Sequence, residues 1–563
     1  MHCALNPGEK AVEMKTRIYV GIYLTSLLIL VGIAWLERSP GYMDADYYYA
    51  AGLRIATEKS WQEPYLWNYL AEQDSLPVPA FTYWMPAAGI LSGMGITLTG
   101  SGDFWSARIF FLLSAAGVAP LTAYMAYTFK PKRWAAVLAG ALAIFAGFYM
   151  VYLPTTDTFA IYMLMGGGIF LLIRRFQQDL KKRLELQVQG ESENSRFISP
   201  LWIYLIAGLT AGLLYMTRAD GLIWLLLVMA AIILQLIQFH GGKSSQDTLG
   251  SSGYWLPVLL SLGAFLVVCI PWMGRNFELL GTIFAPGSGK ALWITRYDEL
   301  FAFPASAITP TAWAAQGLLS IVQARTWALG INSGSILAVQ GGIFLLPLSL
   351  AGMWAWRKDW RVLLGVWGWL FLFIVMSLVF PFQGARGGFF HAGAGFQVLI
   401  WSLVPVGLDK FVAWGQRKRG WLQESAVVKF GVGLITLTIL LTGFLSWQKL
   451  IGSAAANQAW GAKFEAYKQV EGFLRDEDVS SEHIVMVNNP PGFYAAVKRP
   501  SIVIPDGGLE AVEKAAEKYN ARYLVIDKDF PQGIQTLYQD PGSIPGLQYW
   551  RSISDMHLYV ITP

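Results

Sequence analysis

Cysteine is almost missing from this 563-residue chain. Its two cysteines, Cys3 and Cys269, stand at the N-terminus and inside an apolar run, so they are not expected to pair. A disulfide framework and Cys-x-x-Cys metal or redox sites are thereby excluded. Histidine is nearly as scarce. His2, His240, His391, His483 and His557 are scattered, without a His-Glu-x-x-His set, which argues against a zinc enzyme. Charge is the third shortage: 14% of residues are charged, against about a quarter in a soluble protein. Apolar residues fill the gap, at 55% of the chain, with a mean hydropathy of +0.43. Such a chain is not a soluble cytosolic enzyme, a disordered polymer or a fibrous repeat. Its long apolar runs indicate a polytopic membrane protein. The net charge of +5 then reads as topology and not as nucleic-acid binding.

Eleven apolar runs are long enough to propose as spans: 18–36, 109–128, 134–152, 158–173, 201–217, 222–240, 254–271, 335–356, 362–380, 397–409 and 430–445. The first has a basic flank (Lys10, Lys15, Arg17) but lacks a small-residue cleavage site, so it reads as an uncleaved helix. Alternating the sides of the connections places 21 of the 42 basic residues in 87 positions on one side and 10 in 160 positions on the other. By the positive-inside rule the N-terminus is cytoplasmic and the C-terminus extracytoplasmic. The stretch Tyr83 to Ile96 is apolar, but counting it as a span would scramble that bias, so it is expected to lie at the outer interface.

The chain thus divides into a helical membrane domain, 1–445, with long outer loops 37–108 and 272–334, and an outer domain, 446–563. In that tail His483–Asn488, Ser501–Ile504 and Arg522–Asp527 read as strands, Gly508–Tyr519 as an amphipathic helix, and Leu547–Ile553 with Leu558–Ile561 as a hairpin. A small α/β fold is expected. The turn Asn488-Asn489-Pro490-Pro491-Gly492 after the first strand reads as a plain turn or, less simply, a ligand-binding strand end.

The outer loops are rich in aromatic and apolar residues, which suits a roofed cavity better than disorder. Asp44 and Asp46 follow the first span at once. Each suits a helix cap, and each suits a general base that deprotonates an acceptor. Asp157 sits in the outer turn Thr155-Thr156-Asp157-Thr158, again as a cap or as a second acid at the level of Asp44. Arg218-Ala219-Asp220 is a turn with a local ion pair. Arg275 and Arg386 end outer helices, the latter just before His391. Three outer arginines run against the charge bias. They pair with the outer acids, or they form a phosphate site, since guanidinium offers phosphate a bidentate fork.

The order of these motifs resembles the GT-C membrane glycosyltransferases, in particular the protein O-mannosyltransferase and lipid A aminoarabinose transferase families. Asp44 and Tyr48 match an Asp-x-x-x-Tyr element, Thr156-Asp157 a Thr-Asp element, and Met216-Thr217-Arg218-Ala219-Asp220-Gly221 an Arg-x-Asp-Gly turn. Pro271-Trp272-Met273-Gly274-Arg275-Asn276 matches a Pro-Trp-x-x-Arg-Asn element, Tyr83-Trp84-Met85-Pro86 loosely matches an interfacial-helix motif, and a late Arg-Tyr element survives only as Arg386. The resemblance, over roughly 18–410, implies a polyprenyl-phosphate-linked sugar donor and inverting transfer to a protein, lipid or glycan acceptor outside the plasma membrane. It assigns catalysis to Asp44, Asp157 and Asp46, and substrate binding to Tyr48, Arg218, Asp220, Arg275, Asn276, Arg386 and His391. It implies no cofactor, and no ligand set in the sequence argues for a divalent metal. The rival readings are a lipid-linked saccharide transporter, which would carry ionisable residues within its spans, and a non-catalytic membrane scaffold whose tail binds a partner.

Overall fold

The computed structural model describes residues 16–189, 198–240, 255–452 and 460–562. Cys3, His2, Lys10 and Lys15 lie outside them, as does the side chain of His240. Among the described residues eight helices are long and apolar enough to cross a membrane: Thr16–Leu36, Ile109–Phe129, Phe159–Val188, Ala219–Phe239, Leu256–Leu280, Trp360–Val379, Gln397–Arg419 and Gln423–Leu450. Shorter apolar helices, Arg133–Ile144, Leu201–Thr217 and Leu346–Ala355, fill the three remaining expected spans. The chain is a multi-pass helical membrane protein with a small α/β region at its C-terminus. Helices suit that setting because they satisfy every backbone group internally.

Two spans differ from their apolar runs. The run 134–152 is α-helical only to Ile144: Phe145 leaves the helical region at ψ 75°, and Gly147, at φ +59°, opens a 3₁₀ turn to Tyr149. The irregular stretch after it is walled in by protein, with Leu153, Thr155, Thr156 and Asp157 all buried. Non-helical backbone at that depth is tolerated under such cover. The run 335–356 breaks at Gly342 and Ile343, both at positive φ, and helix Gly317–Ser335 precedes it. Hydropathy hid that helix because Gln323, Asn332 and Ser333 interrupt its apolar residues. The apolar stretch Tyr83 to Ile96 is helical from Ala87, in helix Ala87–Thr99.

The sheets use eight strands: β1 Gln62–Glu63, β2 Tyr65–Leu66, β3 Val78–Pro79, β4 Ile484–Val487, β5 Ser501–Val503, β6 Ala521–Ile526, β7 Leu547–Ile553 and β8 Met556–Ile561. β1 pairs with β3 alone; the other six form one sheet in the order β2-β5-β4-β6-β8-β7. The tail strands and the β7–β8 hairpin match the sequence reading. Helix Gly508–Tyr519 buries Val512, Ala515, Ala516 and Tyr519 against that sheet. The edge strand β2 was not foreseen. It comes from the first outer loop and pairs in parallel with β5, Tyr65 opposite Ser501 and Leu66 opposite Ile502. The second outer loop is tied in as well, by Arg296 Nη2 to Asp506 Oδ2 at 2.7 Å. Both loops and the tail therefore lie on one side of the helical layer. Lys130–Asp409 at 2.8 Å and Arg361–Asp359 at 2.9 Å clasp the opposite helix ends.

Candidate active site

The site is built on the first turn of helix Met43–Thr57. Its N-cap is Tyr42, with extended backbone and no side-chain cap. The capping reading of Asp44 and Asp46 therefore fails. Both acids lie inside the first turn, where free N–H groups and the dipole favour negative charge. Asp157 is not a cap either, since the N-cap of helix Phe159–Val188 is Thr158. Its carboxylate does accept the Thr158 N–H, at 2.5 Å.

Asp157 is the hub. Its Oδ2 accepts from the Tyr42 hydroxyl at 2.7 Å and lies 2.9 Å from His391 Nε2. The other ring nitrogen of His391, Nδ1, is 2.9 Å from the Gly387 carbonyl. A ring whose nitrogens face a carbonyl and a carboxylate donates from both, which makes it the imidazolium. Burial opposes that charge, but the carboxylate of Asp157 outweighs it and holds His391 above its ordinary value. Burial likewise opposes the Asp157 charge, and His391 with the Tyr42 hydrogen bond overcomes it, holding Asp157 below its ordinary value. Phe159 stacks on the imidazole at 4.1 Å and fixes its plane.

Asp44 stands beside this pair, with Oδ2 3.9 Å from His391 Nε2. Asp157 is 1% exposed, whereas Asp44 keeps 32% of its side chain open. Desolvation in this recess and the charge of Asp157 push Asp44 up to about 6, against the pull of His391 and Arg218. Tyr48, one helical turn on, is buried at 3% on the same face. Arg218 forks onto Asp220, with Nε at 3.1 Å from Oδ1 and Nη2 at 2.8 Å from Oδ2, and Tyr162 donates to the same carboxylate at 3.0 Å. The Arg218 charge acts on Asp44, Tyr48 and His391. Arg386 lies over the Tyr297 ring at 4.9 Å.

Asp44, Asp157, His391, Tyr48, Arg218 and Asp220 thus meet, with Arg386 at the rim. Arg275 and Asn276 do not join them in any described contact. Arg275 stacks on Trp272 at 4.6 Å, and its Nη1 donates to Asn276 Oδ1 at 3.2 Å. Its charge is felt by Glu63, a buried acid that the sequence reading passed over. Burial pushes Glu63 up to about 8, despite hydrogen bonds from Tyr47 and the Phe81 N–H. Tyr42, two residues before Asp44, was also passed over, and only its closeness to the acids could have flagged it.

Asp46 turns away, toward the C-terminal domain. Asn489 Nδ2 donates to Asp46 Oδ2 at 2.7 Å, and burial pushes this carboxyl up to about 7. The Asn488–Gly492 turn is therefore more than a turn: it caps helix Pro490–Val497 through Asn489 and docks on the first-loop acid. Gly492 allows the approach, since a Cβ there would stand 2.7 Å from Asp46 Oδ2. A cavity of about 730 Å³ is lined by Tyr42, Asp46, Arg386, Trp460, Lys463 and Asn489, among others.

One ligand atom from each of Asp44, Asp157 and His391 lies within 4.8 Å of the others. Two carboxylates and an imidazole suit a divalent cation, provided His391 gives up its Nε2 proton. The sequence contains no run that would have announced this set, because its members come from three distant segments.

No protein-family description matches the sequence, and no curated protein matches it either. Solved structures do match the fold. The archaeal oligosaccharyltransferase AglB from Archaeoglobus fulgidus, in complex with an inhibitory peptide and a dolichol-phosphate, aligns with 97% of this chain and 74% of its own. The TM-score is 0.56 at 14% identity. ArnT from Cupriavidus metallidurans, bound to undecaprenyl phosphate, aligns with 97% of both chains, at a TM-score of 0.52 and 12% identity. The chain shares its fold with these two proteins.

Proposed function

We propose that this protein is an inverting glycosyltransferase that moves a sugar from a polyprenyl-phosphate carrier to an acceptor at the outer face of the membrane. The observation that carries this reading is the open carboxyl of Asp44 beside the sealed Asp157–His391 pair. A carboxyl near 6 is ionised at neutral pH yet basic enough to take a proton as a bond forms. Asp44 receives the acceptor's O–H or N–H proton while that atom bonds to the anomeric carbon. The bond from that carbon to the phosphate oxygen breaks, and the lipid phosphate leaves with the electron pair. Arg386, which has no carboxylate partner among the described residues, meets the departing phosphate. Arg218, fixed by Asp220, and the His391 imidazolium add positive charge around the same point. Asp157 is saturated by Tyr42, His391 and Thr158, and acts as a positioning residue. Single displacement inverts the anomeric centre.

The carriers in the aligned complexes, a dolichol-phosphate and undecaprenyl phosphate, support a lipid-phosphate donor. A divalent cation on Asp44, Asp157 and His391 would take the place of the His391 Nε2 proton and occupy the Asp44 carboxylate; bound there, it would supply Lewis-acid stabilisation of that phosphate in place of the imidazolium. We place the protein in the plasma membrane, N-terminus cytoplasmic and C-terminal domain extracytoplasmic, on the charge bias of its connections. The test is incubation of the reconstituted protein with labelled polyprenyl-phosphate hexoses and pentoses and a cell-envelope extract. Labelled product with inverted anomeric configuration is expected. Retained configuration, or no product from any donor, would overturn the reading.

A further inference from the structure

The cavity lined by Tyr42 and Trp460 has the walls of a saccharide site. Its aromatic platform is preset. Trp460 donates its indole N–H to the Ser39 carbonyl at 2.9 Å and packs flat on Gly41. A Cβ at Gly41, where φ is +88°, would stand 2.3 Å from that ring. Tyr42 meets Trp460 edge-on at 5.9 Å, and Tyr152 meets Tyr42 at 5.3 Å. A rigid aromatic surface offers the apolar C–H face of a sugar ring contact area without an ordering cost.

Opposite polar groups ring the same space. Lys463 Nζ is held between Asp527 and Asp529, 2.8 Å from each. Asn488 donates to Asp527, and Asn489 to Asp46. Two polar atoms of the lining residues, Asp46 Oδ1 and the Tyr467 hydroxyl, have no hydrogen-bond partner among the described residues. Buried polar atoms are nearly always paired. A sugar hydroxyl both donates and accepts, so it suits a wall that carries a carboxylate and a phenol. The mixed lining of aromatics, amides, acids and lysines disfavours an acyl chain. The volume of about 730 Å³ lies within the range of small-ligand sites.

We infer that this cavity holds the acceptor, and that the acceptor is a saccharide, docked on Trp460 and read by Asp46, Tyr467 and Lys463. The inference rests on the transferase reading for the word acceptor; the saccharide site itself does not. Tyr42 and Met43, the residues just before Asp44, line the cavity, so it opens beside the helix turn that carries the base.

The test uses the full chain in nanodiscs and saturation-transfer NMR. The probes are methyl hexosides and pentosides, their disaccharides, and an N-acetyl tripeptide amide. Glycosides are expected to bind, about tenfold more weakly in Trp460→Leu and about fivefold more weakly in the isosteric Tyr467→Phe. Absence of glycoside binding, tripeptide binding in its place, or equal binding in both cavity variants would overturn the inference. Transfer to another acceptor class without glycoside binding would remove this proposal and leave the transferase standing. Glycoside binding that fails in both variants, without transfer from any lipid-linked donor, would do the reverse.

Discussion

Asp44 and Asp46 are two residues apart, yet one faces a cationic recess and the other an amide from the opposite end of the chain. A helix rotates about 100° per residue, so neighbouring acids in a helical turn serve different partners. The same scale governs the Asp157–His391 pair. Asp157, held below its ordinary value, adds stability above its unfolded value of 3.8 and loses it as pH falls further. His391, held above its ordinary value, adds stability below its unfolded value of 6.5 and loses it as pH rises through its folded value. The stability this pair contributes, read as the difference in thermal unfolding between wild type and His391→Gln, should therefore be full below about pH 6.5 and shrink as pH rises further. At Arg218 a lysine keeps the charge but loses the fork onto Asp220, and transfer should fall roughly tenfold or more. A steady-state comparison of Arg218→Lys with wild type measures it. The acids and arginines were legible in the sequence because charge is rare in an apolar chain. Tyr42 and Glu63 were not, nor was the tie from Asn489 to Asp46, because nothing local marks a tyrosine 115 residues from the aspartate it serves.

Elements with a strong period were readable, and irregular ones were not. The tail helix Gly508–Tyr519 followed from its apolar spacing, and β6 and β8 from their β-branched and aromatic residues. The end of helix Arg133–Ile144 did not follow, since hydropathy carries no record of the backbone angles at Phe145 and Gly147. A two-residue strand such as β2 has no period at all. Its pairing with β5 predicts that the two strands share protection: hydrogen exchange at Tyr65 and Ile502 should rise together when the tail is destabilised. The docking turn carries a second expectation. Gly492→Ala places a methyl group against Asp46 and Asn489, and should cost about 1–3 kcal/mol of stability in a denaturant titration.

At the scale of the whole molecule, folding joins what the sequence presents as separate regions. The C-terminal sheet takes an edge strand from the first outer loop, and a bridge from the second loop reaches Asp506. The tail is thus part of the wall around the Asp44–Asp46 turn. In a chain carrying Ser543→Cys or Lys418→Cys, both exposed positions, an impermeant maleimide should label residue 543 from outside intact cells and residue 418 only after permeabilisation. The central claim is that Asp44 is the base. It is tested most directly by single-turnover transfer from a labelled polyprenyl-phosphate sugar, measured from pH 5 to 8 in wild type and Asp44→Asn. Wild type should gain rate through about pH 6, as the carboxyl loses its proton, and then level off. Asp44→Asn should be slower by roughly 100-fold or more, without that rise. A wild-type rate in Asp44→Asn, with the same pH profile, would contradict the account.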